Sequence, residues 1–302
     1  MNSKLLKKEA NAISVLRSFE PKDEKGYYLC YSGGKDSDCI RILAALADVK
    51  HDIVHNLTTV DAPETIYYIR SVPGAIINRP PKTMWQLIVE KRMPPTRLAR
   101  YCCAELKERG GNGRLKITGV RKAESANRAE SADLVRIIGK PKTNQRLADE
   151  IGAGYNVTKQ NGLIMNTDNV ESRRLVEHCY RTSTVMVNPI VDWTDSDVWE
   201  FLHHYGCESN PLYQCGKSRI GCIGCPMAGQ RGQKREFAQY PKYRANYVRA
   251  FDRMLKKRIE DGIPAESWET GEDVMRWWIG DNPLQITLDD YDAFLDEMEA
   301  IE

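Results

Sequence analysis

The sequence predicts an α/β fold: a doubly wound, mainly parallel five-stranded sheet followed by a helical C-terminal region. From residue 27 to residue 120, short apolar strand segments alternate with amphipathic helical segments. This alternation is typical of parallel strands joined by crossover helices. A Gly-Gly turn joins the first strand to its crossover helix, and beyond Cys225 the chain becomes basic and rich in tyrosine with helical periodicity.

The individual elements follow from local patterns in chain order. Runs of apolar residues predict strands at residues 27–31, 53–59, 75–77, 115–120 and 185–187. Apolar residues at helical spacing predict helices at 5–19, 37–48, after Pro63 and at 84–91. Thr194 with Asp197 three residues later forms a capping box that starts a further helix. The stretch from 140 to 169 is polar and rich in turn residues, so we expect an insertion or flexible excursion there.

Composition and charge exclude several classes of protein. The chain has 302 residues, of which 41% are hydrophobic and 28% charged, which excludes wholesale disorder and coiled-coil arrays. No apolar run reaches the ~18 residues of a membrane span, and the charged N-terminus lacks a signal-peptide core. We therefore expect a cytoplasmic protein with no membrane partner. The net charge of +2 argues neither for nor against nucleic acid.

The sharpest motif is a six-residue loop between the first strand and its helix. Glycine lets backbone amides turn toward an anion, and the helix N-terminus adds partial positive charge. Serine hydroxyls can donate hydrogen bonds to phosphate, and lysine supplies a cation. The spacing differs from the Walker A pattern. The predicted phosphate-binding residues of this loop are Ser32, Gly33, Gly34, Lys35, Asp36 and Ser37.

Three further residues lie at predicted strand ends and extend this site. Asp61 follows the second strand, where it can meet ribose hydroxyls or a metal on the phosphates, or serve as an ordinary loop acid. Gly119 permits close backbone approach, and Arg121 can clamp a phosphate with two hydrogen bonds. We predict Lys35, Asp36 and Arg121 as the catalytic residues.

The loop resembles the PP-loop of the ATP pyrophosphatase superfamily. Further segments are similar to the phosphoadenosine phosphosulfate (PAPS) reductase family, in particular its branch in phages and mobile elements. These segments are residues 58–70, 94–107, 118–125, 188–202 and 219–227. The resemblance implies an adenine nucleotide alpha-hydrolase-like fold, ATP or PAPS with Mg²⁺, and cleavage between the α and β phosphates. It also suggests an N-terminal helix at 1–25, a nucleotide-binding domain containing the cysteines at 26–228, and a helical region at 229–302.

Nine cysteines in a chain with no export signal favour a metal or redox site over disulfides. Cys102 and Cys103 are adjacent, and Cys222 and Cys225 form a CxxC turn. Four thiolates suit either zinc or a four-iron iron–sulfur cluster.

The family resemblance adds a ligand set and a preference of metal. The arrangement of a Cys-Cys pair and a later CxxC turn resembles that of the assimilatory sulfonucleotide reductases. This resemblance implies an iron–sulfur cluster, with zinc as the alternative, held by Cys102, Cys103, Cys222 and Cys225. A second similarity, to iron–sulfur enzymes of DNA phosphorothioation, implies an alternative ligand set. Its members are Cys215, Cys222 and Cys225, with Cys103 or Cys207 as the fourth ligand. Cys30, Cys39 and Cys179 fit buried structural thiols better.

The resemblance leaves three functions open. The first is an ATP pyrophosphatase that adenylates an acceptor and passes sulfur to it, a sulfurtransferase chemistry. The second is a sulfonucleotide reductase, whose usual Glu-Cys-Gly tail cysteine has no counterpart after Cys225. The third is a non-catalytic nucleotide-binding subunit, with protein partners in a defence or modification system.

A basic stretch with interleaved tyrosines occupies residues 231–258. Lysine and arginine bind phosphate backbones and aromatic rings stack on unpaired bases, so this stretch is a candidate nucleic-acid contact. The alternative is a solvated helix, partly neutralised by the acidic residues that follow Asp281.

Overall fold

The computed structural model describes residues 1–263 and 268–281. The chain forms two compact units, each assembled from separated segments. The first unit comprises Met1–Leu57, Ala62–Arg79 and Glu108–Ile220. The second comprises Thr58–Asp61, Pro80–Lys107 and the described residues from Gly221 onward. The division at residues 25 and 228 stays a prediction, and the acidic stretch after Asp281 lies outside the described residues. Of the helices in the described ranges, none is long and apolar enough to cross a membrane.

A mixed sheet forms the centre of the first unit. Its strand order is β3-β2-β1-β4-β8-β5-β7-β6. The first five strands in that order are parallel, and β5, β7 and β6 continue the sheet in antiparallel pairs. The strands are β1 Tyr27–Cys30, β2 His51–Asn56, β3 Ala75–Asn78, β4 Lys116–Ile117, β5 Val135–Ile138, β6 Asn156–Val157, β7 Leu163–Met165 and β8 Thr184–Val187.

The predicted mainly parallel α/β architecture is confirmed, but the predicted strand number of five is wrong. The described residues contain eight strands: β5 precedes the polar stretch 140–169, and β6 and β7 lie within that stretch, which is ordered rather than a flexible excursion. A helix there buries Ala148 on one face, and β7 is buried and pairs with β5. Gly152, with φ +76°, ends the helix in the left-handed conformation that glycine tolerates. These short, mostly polar elements depend on the sheet edge they join.

Helices flank this sheet, as the apolar periodicity predicts. The capping box of α8 forms: Thr194 accepts a hydrogen bond from the Asp197 amide, and the Asp197 carboxylate accepts one from the Thr194 amide. Leu43, Phe201 and Leu16 are fully buried in the shared core. The helices of this unit are α1 Ser3–Ser18, α2 Lys35–Leu46, α3 Pro63–Ser71, α5 Ala126–Ser131, α6 Pro141–Ile151, α7 Val170–Cys179 and α8 Asp195–His204.

The second unit is helical and has its own aromatic core. Tyr247 is buried, with its ring centroid 4.9 Å from that of Trp278 and 5.5 Å from that of Phe237. The Trp278 indole N–H donates to the Pro95 carbonyl at 2.6 Å. The helices are α4 Met84–Lys91, α9 Gly229–Gln239, α10 Pro241–Glu260 and α11 Gly271–Ile279, with a π-helical turn at Cys103–Lys107.

Candidate functional site

The strand order places the predicted phosphate loop at a reversal of the sheet. From β1 the chain builds outward through β2 and β3, and then returns to β4 on the other side of β1. In open α/β sheets, ligands bind at the carboxyl ends of the strands where the order reverses in this way. The loop after β1 and the segment after β4 both start at this edge.

The loop is folded tightly over the first turn of α2. The Ser37 hydroxyl donates to the Gly34 carbonyl at 2.7 Å and accepts from the Gly34 amide at 3.1 Å. The amide of Lys35 donates to the Tyr213 hydroxyl at 2.9 Å. Gly33 has φ +71°, a left-handed conformation that a side chain disfavours. The amides at this helix N-terminus are thus held by hydroxyl groups, which phosphate oxygens can replace.

Lys35 faces a large cavity within the first unit. The cavity has a volume of about 1240 Å³, and Tyr213, Asp195 and Trp199 also line it. The Lys35 side chain is 9% exposed, and its ammonium lies 3.4 Å from Asp195 Oδ1 and 3.7 Å from Asp36 Oδ2. The predicted phosphate cation therefore lies at a space large enough for a nucleotide.

Arg121 is engaged by two carboxylates. It donates from Nε to Asp36 Oδ1 and from Nη2 to Asp195 Oδ1, each at 2.6 Å, and its side chain is 2% exposed. Burial acts to raise the pKa of Asp195, but the hydrogen bonds and positive charges of Arg121 and Lys35 together outweigh it, so the pKa is lowered. Arg121, Lys35, Asp36 and Asp195 thus form one charge-balanced cluster, in which Asp36 and Asp195 engage two of the five guanidinium N–H groups of Arg121.

Gly119 allows a close approach, and the neighbour is the helix α2. A Cβ added at Gly119 would lie 2.9 Å from the Asp36 carbonyl oxygen. The end of β4 therefore supports the N-terminal turn that carries Lys35 and Asp36.

Sequence reasoning missed Asp195 and Tyr213, although both lie in or near segments that resemble the family. Asp195 is an acid in the first turn of a capped helix, where its side chain has an obvious structural role. Tyr213 lies in a 3₁₀ turn, 178 residues from its partner Lys35. Neither position has a local pattern that predicts the contact.

A buried carboxyl behind the loop was also missed. Asp38 is fully buried and accepts hydrogen bonds from the hydroxyls of Tyr31 at 2.6 Å and Tyr68 at 3.0 Å. Burial raises the pKa of Asp38 to about 6, against the effect of both tyrosines and of Arg41. This network anchors the start of the phosphate loop to α2 and α3.

The four predicted ligand cysteines all lie in the second unit. Cys103 starts the π-helical turn, and Cys222 pairs with Asp61 in an isolated antiparallel bridge. The Cys222 thiol donates to the Thr58 hydroxyl at 3.4 Å, and Ile223 N–H donates to the Val60 carbonyl at 2.8 Å. The CxxC turn is therefore pinned to the short segment Thr58–Asp61.

Helix α9 fixes the other side of this turn. The Gly224 amide donates to Glu236 Oε2 at 2.7 Å, and the Gly224 carbonyl accepts from Gln233 at 3.1 Å. Gly224 has φ +73°, and a Cβ there would lie 2.5 Å from the Phe237 ring. A glycine is required at this position of the turn.

The thiols interact with one another and with a buried lysine. A hydrogen bond with Cys103 raises the pKa of Cys102, as do burial and the neighbouring Cys222 and Cys225. Burial raises the pKa of Cys222, although Lys107 lowers it in part. Cys222 in turn is the main cause of a raised pKa at Lys107.

The chemistry of this donor set, four thiols within electrostatic range inside one unit, fits a thiolate-bound centre. In the described ranges, however, no three His, Cys, Asp or Glu side chains are arranged as a metal site. The metal or cluster therefore stays a prediction.

The remaining predicted site residues lie as follows. Asp61 belongs to the second unit, and its carboxylate accepts the Thr58 amide at 2.7 Å. The alternate ligand Cys215 is exposed and belongs to the first unit, as does Cys207. Cys39 and Cys179 are buried, as expected for structural thiols, whereas Cys30 is only partly buried.

Comparison with known proteins identifies the domain. Residues 26–228 match the family described as the phosphoadenosine phosphosulfate reductase domain. An uncharacterized protein, MJ0066 of Methanocaldococcus jannaschii, is 26% identical over 80% of this chain and 45% of its own length. An uncharacterized 37.8 kDa protein of Escherichia phage 186 is 38% identical over 22% of this chain and 17% of its own length.

Two comparisons involve proteins with named activities. Adenosine 5'-phosphosulfate reductase of Allochromatium vinosum is 40% identical over 14% of this chain and 16% of its own length. The crystal structure of a PAPS reductase from Candida auris, a phosphate complex, superposes with a TM-score of 0.42 at 13% identity, over 74% of this chain and 96% of that one. The chain spans less than half the length of each of the three sequence relatives.

Proposed function

Because the chain belongs to the phosphoadenosine phosphosulfate reductase domain family, we propose that its phosphate loop binds ATP or an adenylyl-sulfate nucleotide. We propose further that the protein uses ATP to adenylate an acceptor, cleaving between the α and β phosphates, and that this step is linked to sulfur transfer. The acceptor class that the basic region 231–258 favours is nucleic acid, and protein partners of a modification system belong to the same proposal.

One observation carries this proposal: the SGGKDS loop closes over the N-terminus of α2 at the sheet reversal, beside a nucleotide-sized cavity. There the Ser37 hydroxyl, the Lys35 ammonium and the helix N-terminus converge. Each of these groups stabilises phosphate negative charge, and the ion pairs of Lys35 with Asp36 and Asp195 hold its ammonium at the cavity.

The proposed step divides the work among these residues. A nucleophile of the acceptor attacks the α phosphorus, the bond from that phosphorus to the bridging oxygen breaks, and pyrophosphate leaves with the electron pair. Lys35 stabilises the charge that develops on the phosphates, and Arg121 exchanges a carboxylate for a phosphate oxygen. Asp36 orients Arg121 before that exchange. A sulfide-level sulfur nucleophile from a sulfur donor then bonds to the acceptor atom that carries the adenylylated oxygen, and AMP leaves with that oxygen and the electron pair.

Two inorganic groups accompany this proposal. Mg²⁺ bound to the nucleotide would neutralise phosphate charge, with Asp61 as a proposed ligand or ribose contact. An iron–sulfur cluster, or zinc as the alternative, would be held by Cys102, Cys103, Cys222 and Cys225. These four thiols belong to one compact unit, whereas Cys215 belongs to the other, and this favours the four as a ligand set. In either form the centre supplies thiolate-bound metal chemistry or structural support.

Reductase activity is the second candidate, favoured by the local identity to an adenosine 5'-phosphosulfate reductase. A nucleotide-binding subunit without turnover is the third outcome. Anaerobically purified protein is incubated with ATP or with PAPS, with and without nucleic acid and thioredoxin. AMP plus pyrophosphate from ATP, stimulated by nucleic acid, supports the proposal. Sulfite from PAPS supports the reductase, and binding without products supports the subunit.

Two variants test the placement of the phosphates. Lys35→Ala and Ser37→Ala remove the cation and the hydroxyl that close the loop, and we expect each to lose nucleotide binding by calorimetry. Lys142→Ala, an exposed lysine on α6, is the matched control and should bind normally. Normal binding by both loop variants would place the nucleotide elsewhere.

A further inference from the structure

A second cavity lies in the second unit, along the contact between α4 and α10. Its volume is about 590 Å³, and the residues that line it are Thr83, Trp85, Gln86, Val89, Glu90, Arg253 and Lys257. Trp85 is half-buried, and its ring system makes a T-shaped contact with the ring of Tyr247, with centroids 4.8 Å apart and planes at 82°. The indole is therefore held rigidly at the wall of an open groove.

The helix that forms the other wall is strongly basic. Helix α10 carries seven Lys and Arg residues against two acids. Three of the seven have partners within the unit: Arg244 pairs with Glu272, Lys257 lies 3.0 Å from Asp261, and Arg258 is buried and donates to the Arg92 carbonyl. These three stabilise the fold and add little to the surface charge.

The other four cations form a separate exposed stripe on α10. At 100° per residue, their positions fall within about 60° of one another around the helix, so they share one face. The stripe extends about 21 Å at a rise of 1.5 Å per residue. In the described part of the chain, no acid forms an ion pair with any of them. The four residues are Lys242, Arg249, Arg253 and Lys256.

The charge and the shape of this groove favour a polyanionic ligand that carries planar rings. The acid at the groove, Glu90, is paired with Lys82 at 2.6 Å, so it opposes an anion only weakly. A row of unpaired cations attracts a polyanion, and a rigid aromatic wall beside it accepts a planar ring. A duplex keeps its bases stacked inside, whereas a single strand can offer one base to Trp85 while its phosphates follow the stripe.

We propose that the groove between α4 and α10 binds single-stranded nucleic acid, with a base stacked on Trp85 and phosphates on Arg253 and the rest of the stripe. This deepens the proposed function, since it rests on nucleic acid as the acceptor class and names the form recognised. It requires neither nucleotide binding nor cleavage at the phosphate loop.

Fluorescence anisotropy with a labelled 15-nucleotide thymidine strand and a duplex of the same length tests the proposal, without ATP, at two salt concentrations. The full chain should bind the single strand more tightly than the duplex. Trp85→Ala should weaken single-strand binding roughly 5- to 150-fold, the range for one base–aromatic stack, while Trp85→Phe retains most of it. Arg253→Gln should reduce the slope of log affinity against log salt by about one.

Controls separate the groove from folding and from the phosphate loop. Arg253 is exposed, so Arg253→Gln should fold as the parent does, and Arg173→Gln on exposed surface of α7 should leave binding unchanged. Lys35→Ala should keep strand binding while losing nucleotide binding, which distinguishes failure of this inference from failure of the proposed function. Equal affinity for duplex and single strand, or unchanged binding in both Trp85→Ala and Arg253→Gln, would overturn the inference.

Discussion

Replacing Gly33 by alanine tests the phosphate loop where it is most constrained. Gly33 has φ +71°, and a Cβ there would lie 3.0 Å from Ile69 Cγ1 and 3.2 Å from Thr65 Cγ2. Both neighbours are buried, and Asn210 holds the Gly33 carbonyl at 3.0 Å and the Thr65 hydroxyl at 3.1 Å. Displacing either the loop at Gly33 or the hydroxyl of Thr65 therefore strains a buried hydrogen bond.

Gly113→Ala is a matched control for the loss of unfolding free energy expected in Gly33→Ala. Gly113 has the same φ of +71°, but a Cβ there would meet a single atom, the Arg181 carbonyl oxygen, at 3.9 Å. Left-handed alanine costs roughly 1–2 kcal/mol, partly offset by the lower entropy of the unfolded chain, so we expect a loss of about 1 kcal/mol. Crowding at Gly33 adds roughly 1–3 kcal/mol, for a total of about 2–4 kcal/mol.

Urea unfolding followed by circular dichroism measures both free energies, and calorimetric titration with ATP measures binding. We expect Gly33→Ala to lose more stability than Gly113→Ala and also to lose nucleotide affinity, which Gly113→Ala keeps. Equal losses of stability in the two variants would show that the contacts with Ile69 and Thr65 do not confine the loop, and the reasoning would fail.

Three further predictions concern other parts of the molecule. Burial raises the pKa of Asp38 to about 6. The neutral carboxyl therefore stabilises the folded chain at low pH, and this stabilisation is lost as the pH rises through that value. The parent should therefore lose up to about 3 kcal/mol of unfolding free energy relative to Asp38→Asn between about pH 4 and pH 7, and a constant difference across urea titrations would contradict this. Thr194→Ala removes the cap of α8 and should cost about 1 kcal/mol by urea unfolding; no loss would mean that the cap is dispensable. Cys222→Ser should abolish bound iron or zinc measured by elemental analysis, whereas the buried Cys179→Ser should retain it, and equal metal content would contradict the ligand assignment.

The sequence allowed the parallel half of the fold to be predicted because its signals are local. The strand β1, the glycine turn and α2 follow one another within 20 residues, and the cap of α8 needs only Thr194 and Asp197. Of the antiparallel strands, β6 has two exposed residues and no apolar alternation. β5 and β7 carry apolar residues, but neither was recognised as a strand. Their pairing depends on a sheet edge that forms from distant segments.

The candidate site divides in the same way. The predicted loop residues converge at the start of α2, since six consecutive residues form the turn. The environment of Arg121 was not predictable, because its two carboxylate partners lie 85 and 74 residues away along the chain. The expected phosphate clamp is therefore found in an ion cluster whose two cations are buried, and only the folded chain reveals which carboxylates compete for it.

The segments that form the second unit are separated along the chain, so they are synthesised at different times. Cys102 and Cys103 leave the ribosome about 120 residues before Cys222 and Cys225. At typical translation speeds of about 5–20 residues per second, the earlier pair waits roughly 6–24 s for its companions. A centre held by all four thiols can therefore form only after residue 225 has been synthesised.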